Sequence, residues 1–327
     1  MLALPHAVDL FTLLELTVYV IMAILALSLG MIWGYGGILC FGQAAFFGLG
    51  AYTYAIAVLN IGESSAPFLL AIIVPALFAA LLGYFMFYGR VSDVYLGVIT
   101  LTVTLILFKL FNSTAGPEYR IGHALIGGFN GIPSVPPLNI PGLPQRALSP
   151  QELFYLAMAV LLGVYFGLRW LLASHFGRVI VAIRENEKRA ELLGYDVRWY
   201  KLLTFSLGGA IAGVAGCLYV NWGAFVSPTV FSLQQSAQII IWVIVGGLGT
   251  LIGPVVGCVV VQSITAHLGT QQAFNSYLVL GAILLVFVLL VPRGLAPTIG
   301  SLGGRWLVRR RRTQSPVGES PTLSDPH

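Results

Sequence analysis

Between Lys201 and Arg293 the chain runs for 91 consecutive residues without an Asp, Glu, Lys or Arg. A second stretch, from Glu15 to Arg90, holds a single charge, Glu63. No soluble fold can hide such stretches, because part of every element must meet water. An ordinary soluble domain is about 25% charged, whereas only 9% of these 327 residues carry charge. A bilayer core about 30 Å thick calls for apolar segments of about 20 residues, and that is what this chain supplies. The runs are continuous rather than alternating at every second residue, which excludes an outer-membrane barrel. The fold class is therefore all-α, a polytopic transmembrane helical bundle. Cys40, Cys217 and Cys258 all fall inside apolar segments, as small buried hydrophobes rather than a disulfide or metal site. No basic n-region opens the chain, so no cleaved signal peptide is expected.

Apolar runs predict spans near 14–33, 36–59, 67–88, 94–111, 152–172, 202–222, 235–247, 251–268 and 276–292. The count is about nine, with eight to ten compatible with the pattern. Basic residues then set the orientation. Arg90, seven Lys/Arg in 169–201 and six in 293–312 account for 14 of the 17 basic residues. Placing all three regions in the cytoplasm puts the N-terminus outside and the C-terminus inside. The stretch from Lys201 to Arg293 must then cross an even number of times. The excess of +5 follows the membrane and gives no sign of a nucleic-acid partner.

Two segments interrupt the apolar runs with glycine. WGYGGILCFGQAAFFGLGAY (33–52) contains Gly34, Gly36 and Gly37, and VGGLGTLIGP (245–254) contains Gly246, Gly247, Gly249, Gly253 and Pro254. Both are expected to be helix breaks. Non-helical backbone at membrane depth is tolerated where it is buried in protein or lines a cavity, and transporters place substrate sites at broken helices. Close helix packing through small residues is the competing reading.

The charged stretch 173–200, ASHFGRVIVAIRENEKRAELLGYDVRWY, reads as a short amphipathic helix and a polar turn. Ser174 is a candidate cap, and Val179, Ile183, Ala190 and Leu193 share one face. Glu185 and Arg189 stand at a favourable i, i+4 spacing. Gly194 is placed to end the helix, and Asp196 to cap the next one. Such a loop could lie on lipid, stand free in solvent, or dock into a soluble partner. Four acidic residues among the seven basic ones weaken the lipid reading.

The segment FGRVIVAIRENEKRAELLGYDVRWYKLLTFSLGGAIAGVAGCLY (176–219) resembles the coupling-loop region of the branched-chain amino acid permeases of ATP-binding-cassette importers. It is most similar to the second of their two paired permease subunits. LSLGMIWGYGGILCFGQAAFFGLGAY (27–52), VYLGVITLT (94–102), GGFNGIP (127–133), FVSP (225–228) and VGGLGTLIGPVVG (245–257) agree in the same order. The resemblance implies a subunit of the bacterial inner membrane that forms a translocation path by ATP-driven alternating access. Its implied partners are a paired permease, two cytoplasmic ATPases, a periplasmic binding protein and membrane lipid. It also implies that Arg184, Glu185, Asn186, Arg189, Ala190, Leu193 and Gly194 form the ATPase-coupling loop. Urea or short-chain amides are alternative cargoes, because related permeases carry them. An autonomous channel is a further alternative.

The residues themselves leave little room for chemistry. No G-x-x-x-x-G-K-[ST] is present, so this chain has no phosphate-binding loop, and it is expected to bind no cofactor. ATP would be used by partner subunits. No catalytic constellation, carboxylate pair or metal-ligand spacing stands out, so no enzyme is expected. A zwitterion crossing uncharged spans would need backbone groups at helix breaks, helped by hydroxyls and amides. Gln43, Tyr52, Thr100, Thr102, Thr104, Gly128 and Asn130 are the candidates, although the threonines could equally bond within their own helix. The Gly- and Pro-rich segment 112–151 is expected outside, as a cap that offers a surface to a binding protein. Residues 1–301 are thus read as the permease domain. The Arg-rich and Ser/Pro-rich tail 302–327 is read as a disordered cytoplasmic anchor.

Overall fold

The computed structural model describes residues 9–140 and 143–269, together with 281, 294, 295 and 298. The expected span 276–292 falls outside the described residues except for residue 281, and so does the tail 302–327. What is described is helical, with each expected crossing up to residue 269 present as a helix. These are α1 (Leu10–Leu29), α2 (Gln43–Ile61), α3 (Ser65–Tyr88), α4 (Asp93–Ser113) and α5 (Pro150–Ala173). After them come the loop helices α6 (His175–Glu185) and α7 (Glu187–Leu192), then α8 (Val197–Gly223), α9 (Leu233–Gly246) and α10 (Ile252–Gly269). Six of these elements are long and apolar enough to cross a membrane, and α9 and the apolar stretch Ile252–His267 of α10 are shorter. At 14 residues, α9 spans only about 21 Å.

Helix α8 is the centre of the bundle, and its glycines explain why. A side chain at Gly209 would meet Ala79 and the Pro75 carbonyl of α3; one at Gly216 would meet the Phe47 carbonyl of α2. Gly213 lies against both neighbours, next to the Ala71 carbonyl and facing Gly50. Pro75 sits inside α3 and has no N–H, so the Ala71 carbonyl one turn earlier has no helical partner. Gly213 lets α8 approach that freed oxygen. Small residues thus bring three helices to backbone contact, the packing that works where lipid gives no hydrophobic incentive. The outer helices show the opposite pattern. Leu77, Leu81 and Phe85 of α3, Ile106 and Leu110 of α4, and Phe166 and Trp170 of α5 are exposed, as lipid-facing side chains should be.

At the first break, α1 runs on into a π-helical turn, Gly30–Tyr35. The wider turn forms where Pro254 of α10 packs on Gly30; a Cβ there would be 2.5 Å from the Pro254 ring. Helix α2 does not begin at 36, as the apolar run suggested, but at Gln43. Gly37 adopts φ +67°, which ends the turn and leaves residues 36–42 outside any helix apart from their join to it.

The segment between α4 and α5 forms two small hairpins. β1 (Arg120–Ile121) pairs with β2 (Ala124–Leu125), and β3 (Asn139–Ile140) with β4 (Leu143–Ala147). Side chains at helix ends hold them. Asn60 at the end of α2 donates to the Ile121 carbonyl (2.9 Å) and accepts from the His123 amide (2.7 Å). Ser64 and Asn139 exchange two bonds of 3.0 Å. A capping box at Ser149 and Glu152 then starts α5. The segments GGFNGIP and FVSP, far apart in sequence, meet through a two-way bridge between Ile132 and Val226 (2.8 and 3.2 Å).

Candidate functional site

The two glycine breaks lie against each other. Gly34 faces Gly249, so close that a Cβ on Gly34 would be 3.2 Å from the Gly249 amide nitrogen. Gly30 touches Pro254 in the same way. The second break is built by Gly247 (φ +106°) and Gly249 (φ +87°), between the end of α9 and the start of α10. Those two helices are pressed together at Gly246 against the Gly253 carbonyl and at Gly257 against the Trp242 carbonyl. Thr250 helps restart α10 by accepting from the Gly253 amide (3.2 Å). A larger residue at Gly30 or Gly34 would press the two breaks apart, and one at Gly246 or Gly257 would part α9 from α10.

One charged side chain from the loop reaches this junction. Arg184 Nη1 donates to the Gly34 carbonyl, in a part-buried bond across 150 positions of sequence. Its side chain also covers Gly37, whose Cβ would be 2.8 Å from Arg184 Cγ. Glu185 fixes the other edge of the guanidinium at 2.5 Å. The Gly34 carbonyl lies in the π-helical turn that continues α1, at the end where helix dipoles are negative, so a guanidinium is the group suited to it. The i, i+4 pair of Glu185 with Arg189 is not formed, because Glu185 is held by its neighbour Arg184.

The loop is two helices rather than one. Asn186 takes an extended conformation (φ −160°, ψ 99°) and its Oδ1 caps α7 by accepting from Arg189 N at 2.9 Å. The chain therefore turns a corner at Asn186, and the face expected to run from Val179 to Leu193 is split. Val179, Ile183 and Ala190 are buried with Val197 in a small core of their own, but Leu193 is 76% exposed and Leu192 88% exposed. Ser174 does not cap α6: its hydroxyl turns back to the Leu171 carbonyl at 2.6 Å. Gly194 (φ +89°) does end α7, and Asp196 caps α8. Lys201 braces α7 from below through Glu187 at 2.6 Å. The loop thus exposes two bare leucines next to exposed Arg189, while Lys188 and Glu191 line a cleft against the α3–α4 turn.

The polar candidates of the spans gather at the first break, where they satisfy its backbone. Thr100 Oγ1 accepts from the Phe41 amide at 3.1 Å and donates to Gly97 O. Thr104 donates to Thr100 O and reaches the Gly42 carbonyl at 3.3 Å. Gln43 is buried and donates to Ser28 Oγ (2.8 Å) and Gly208 O (3.2 Å), tying α2 to α1 and α8. Thr102 is exposed and bonds only its own helix, at Val98 O. Tyr52 lies elsewhere, in a three-ring stack with Phe111 (4.2 Å) and Phe231. Its hydroxyl is buried with no hydrogen-bond partner among the described residues. Gly128 and Asn130 belong to a 3-10 turn of the segment between α4 and α5, with Asn130 exposed. Ser28 and Gly42 were not singled out in the sequence; Ser28 was visible only as one hydroxyl in an otherwise apolar LALSLG run.

A bundle of long apolar helices around apposed breaks, with one charged loop reaching in, defines a multi-pass membrane protein. Residues 12–288 match the family model described as branched-chain amino acid transport system / permease component. The chain belongs to that family. It is 28% identical to the high-affinity branched-chain amino acid transport system permease protein LivM of Escherichia coli, over 86% of this chain and 69% of that protein. A probable branched-chain amino acid transport permease protein LivM of Methanocaldococcus jannaschii is 26% identical, over 84% of this chain and 90% of that one. The ribose import permease protein RbsC of Escherichia coli is 25% identical over 40% of this chain and 43% of its own length. No solved structure matches the chain.

Proposed function

We propose that this chain is a membrane-spanning permease subunit of an ATP-driven importer for branched-chain or related amino acids. One observation carries this reading furthest: the two helix breaks are packed together, and the charged loop is bonded to them through Arg184. A device that transmits work into a membrane needs a place to receive force and a place that yields. The leucines at 192 and 193, bare among charges, are the receiving surface, and two separate ATPase subunits of the importer supply the force. The breaks are the yielding element, because glycines at positive φ change conformation at lower cost than other residues.

In this mechanism ATP-driven closure of the ATPases moves α7 and α6 as one small unit around their own core. Arg184 carries that motion to the Gly34 carbonyl. The π-helical turn at Gly34 then shifts against Gly249, opening or closing the end of the path next to the loop. Charge asymmetry supports a cytoplasmic position for this end, with the N-terminus outside and the C-terminus inside; the membrane in this reading is a bacterial plasma membrane. The hairpins at 120–147 then face the periplasmic binding protein, and a paired permease completes the path. The chain itself catalyses nothing and binds no cofactor.

The test is uptake by proteoliposomes that hold this chain, its paired permease and its ATPases, with saturating binding protein. Leucine uptake that requires ATP supports both mechanism and cargo. Urea uptake without leucine uptake keeps the mechanism and replaces the cargo. Leucine uptake indifferent to ATP points to a channel and overturns the proposal.

A further inference from the structure

At the end of the bundle that carries the charged loop, the α3–α4 turn, α7 and the first turns of α8 enclose an open cleft of about 370 Å³. Four cations (Arg90, Lys188, Arg198, Lys201) face three acids (Asp93, Glu187, Glu191) in its lining, an excess of one. Lys201 is occupied by Glu187 at 2.6 Å and by Asp93 at 3.9 Å. Arg90, Lys188 and Arg198 remain, with Glu191 as the one acid left over, and none of these four is in an ion pair among the described residues. Arg198 stands over the Tyr88 ring instead, 5.7 Å from its centroid. Arg90 is held at φ +52°, a conformation that residues with a Cβ rarely adopt, directly at the end of a membrane-crossing helix.

The surroundings indicate what kind of anion fits. Tyr88, the ring under Arg198, packs on Tyr84 at 4.8 Å between centroids; Val94 and Tyr95 follow the cleft residue Asp93 in α4, and all four side chains are exposed. Tyrosines with wet tips and apolar bodies mark the headgroup level of a membrane, and basic pockets between helices at that level bind anionic headgroups. A free anion would need the cations alone, whereas a lipid needs both the cations and the apolar flank. We infer that this cleft binds the phosphodiester of an anionic phospholipid, with Arg90, Lys188 and Arg198 around the phosphate and the acyl chains along α3 and α4. A lipid seated there bridges α7 of the loop to the α3–α4 turn, so anionic lipid steadies the loop from the membrane side. This inference is independent of which cargo is carried.

Native mass spectrometry of the detergent-solubilised full chain, with phosphatidylglycerol competing against phosphatidylcholine, reads the site directly. The chain is expected to retain phosphatidylglycerol preferentially, and R90Q/K188Q/R198Q to lose that preference. The expected loss is about fivefold for each cation removed. Arg146→Gln, on the external segment, should keep the preference of the unaltered chain. If the triple variant fails to fold, as read by helical circular dichroism, Lys188→Gln alone on exposed α7 carries the test, with about a fivefold loss expected. Undiminished preference in a folded variant overturns the inference. So does displacement of the lipid by inorganic phosphate that binds equally well by itself, which would make the cleft a free-anion site. Loss of ATPase co-purification with lipid retention unchanged would make it a protein-docking face, and likewise overturn it.

Discussion

At the scale of single residues, Arg184 separates two roles that the sequence merged. It lies in the charged loop, and the resemblance counted it among residues that meet a partner. Its guanidinium points inward to the Gly34 carbonyl, while Leu192 and Leu193 are exposed. A hydrogen bond from a charged donor contributes about 1.5–3 kcal/mol. Arg184→Gln should therefore lower the thermal midpoint modestly, and Arg184→Lys should restore part of the loss, because an ammonium donates without the planar fork. A thermal melt of the purified chain checks this; an unchanged midpoint in Arg184→Gln would show that the bond is not holding the loop. Tyr52 gives a prediction of opposite sign. Its hydroxyl is buried without a partner, so Tyr52→Phe removes an unsatisfied group and should leave stability equal or raise it. A fall in the midpoint on removing it would mean that the hydroxyl has a partner in the folded protein.

At the scale of elements, the corner at Asn186 and the glycines of α8 carry the most weight. Asn186→Ala removes the cap of α7 and should cost about 1 kcal/mol. It also favours one continuous helix over two, so coupling should fall further than stability does. Comparing uptake per ATP hydrolysed with the thermal midpoint separates the two effects. In α8, Gly216→Leu places a side chain against the Phe47 carbonyl and should abolish folded expression. Gly167→Leu on the outward side of α5, where a Cβ meets nothing, should be tolerated. The spans were legible in the sequence because a membrane demands long apolar runs and this chain has them. The start of α2 at Gln43 was not, because it depends on Thr100 and Thr104 arriving from another helix to satisfy residues 41 and 42. The corner at Asn186 lay hidden in RENEKRAEL, a run of good helix formers, where only the capping preference of Asn spoke against continuity. Both glycine breaks were visible as breaks. That Gly34 would meet Gly249 was not, since no local pattern encodes a contact between distant segments.

At the scale of the whole molecule, the bundle divides into a packed centre, a lipid-facing rim, hairpins at one end and a charged lever at the other. Family membership makes this a transport permease, and the proposed mechanism brings force in through the bond from Arg184 to the first break. The most direct measurement compares two variants in the reconstituted importer, for both ATPase association and leucine uptake per ATP. Leu192→Asp with Leu193→Asp should lose the ATPases, and uptake with them. Arg184→Gln should keep the ATPases bound and hydrolysing while uptake per ATP falls about tenfold, the scale of a lost charged hydrogen bond. Full uptake per ATP in Arg184→Gln would contradict the claim that the loop drives the glycine breaks through this contact.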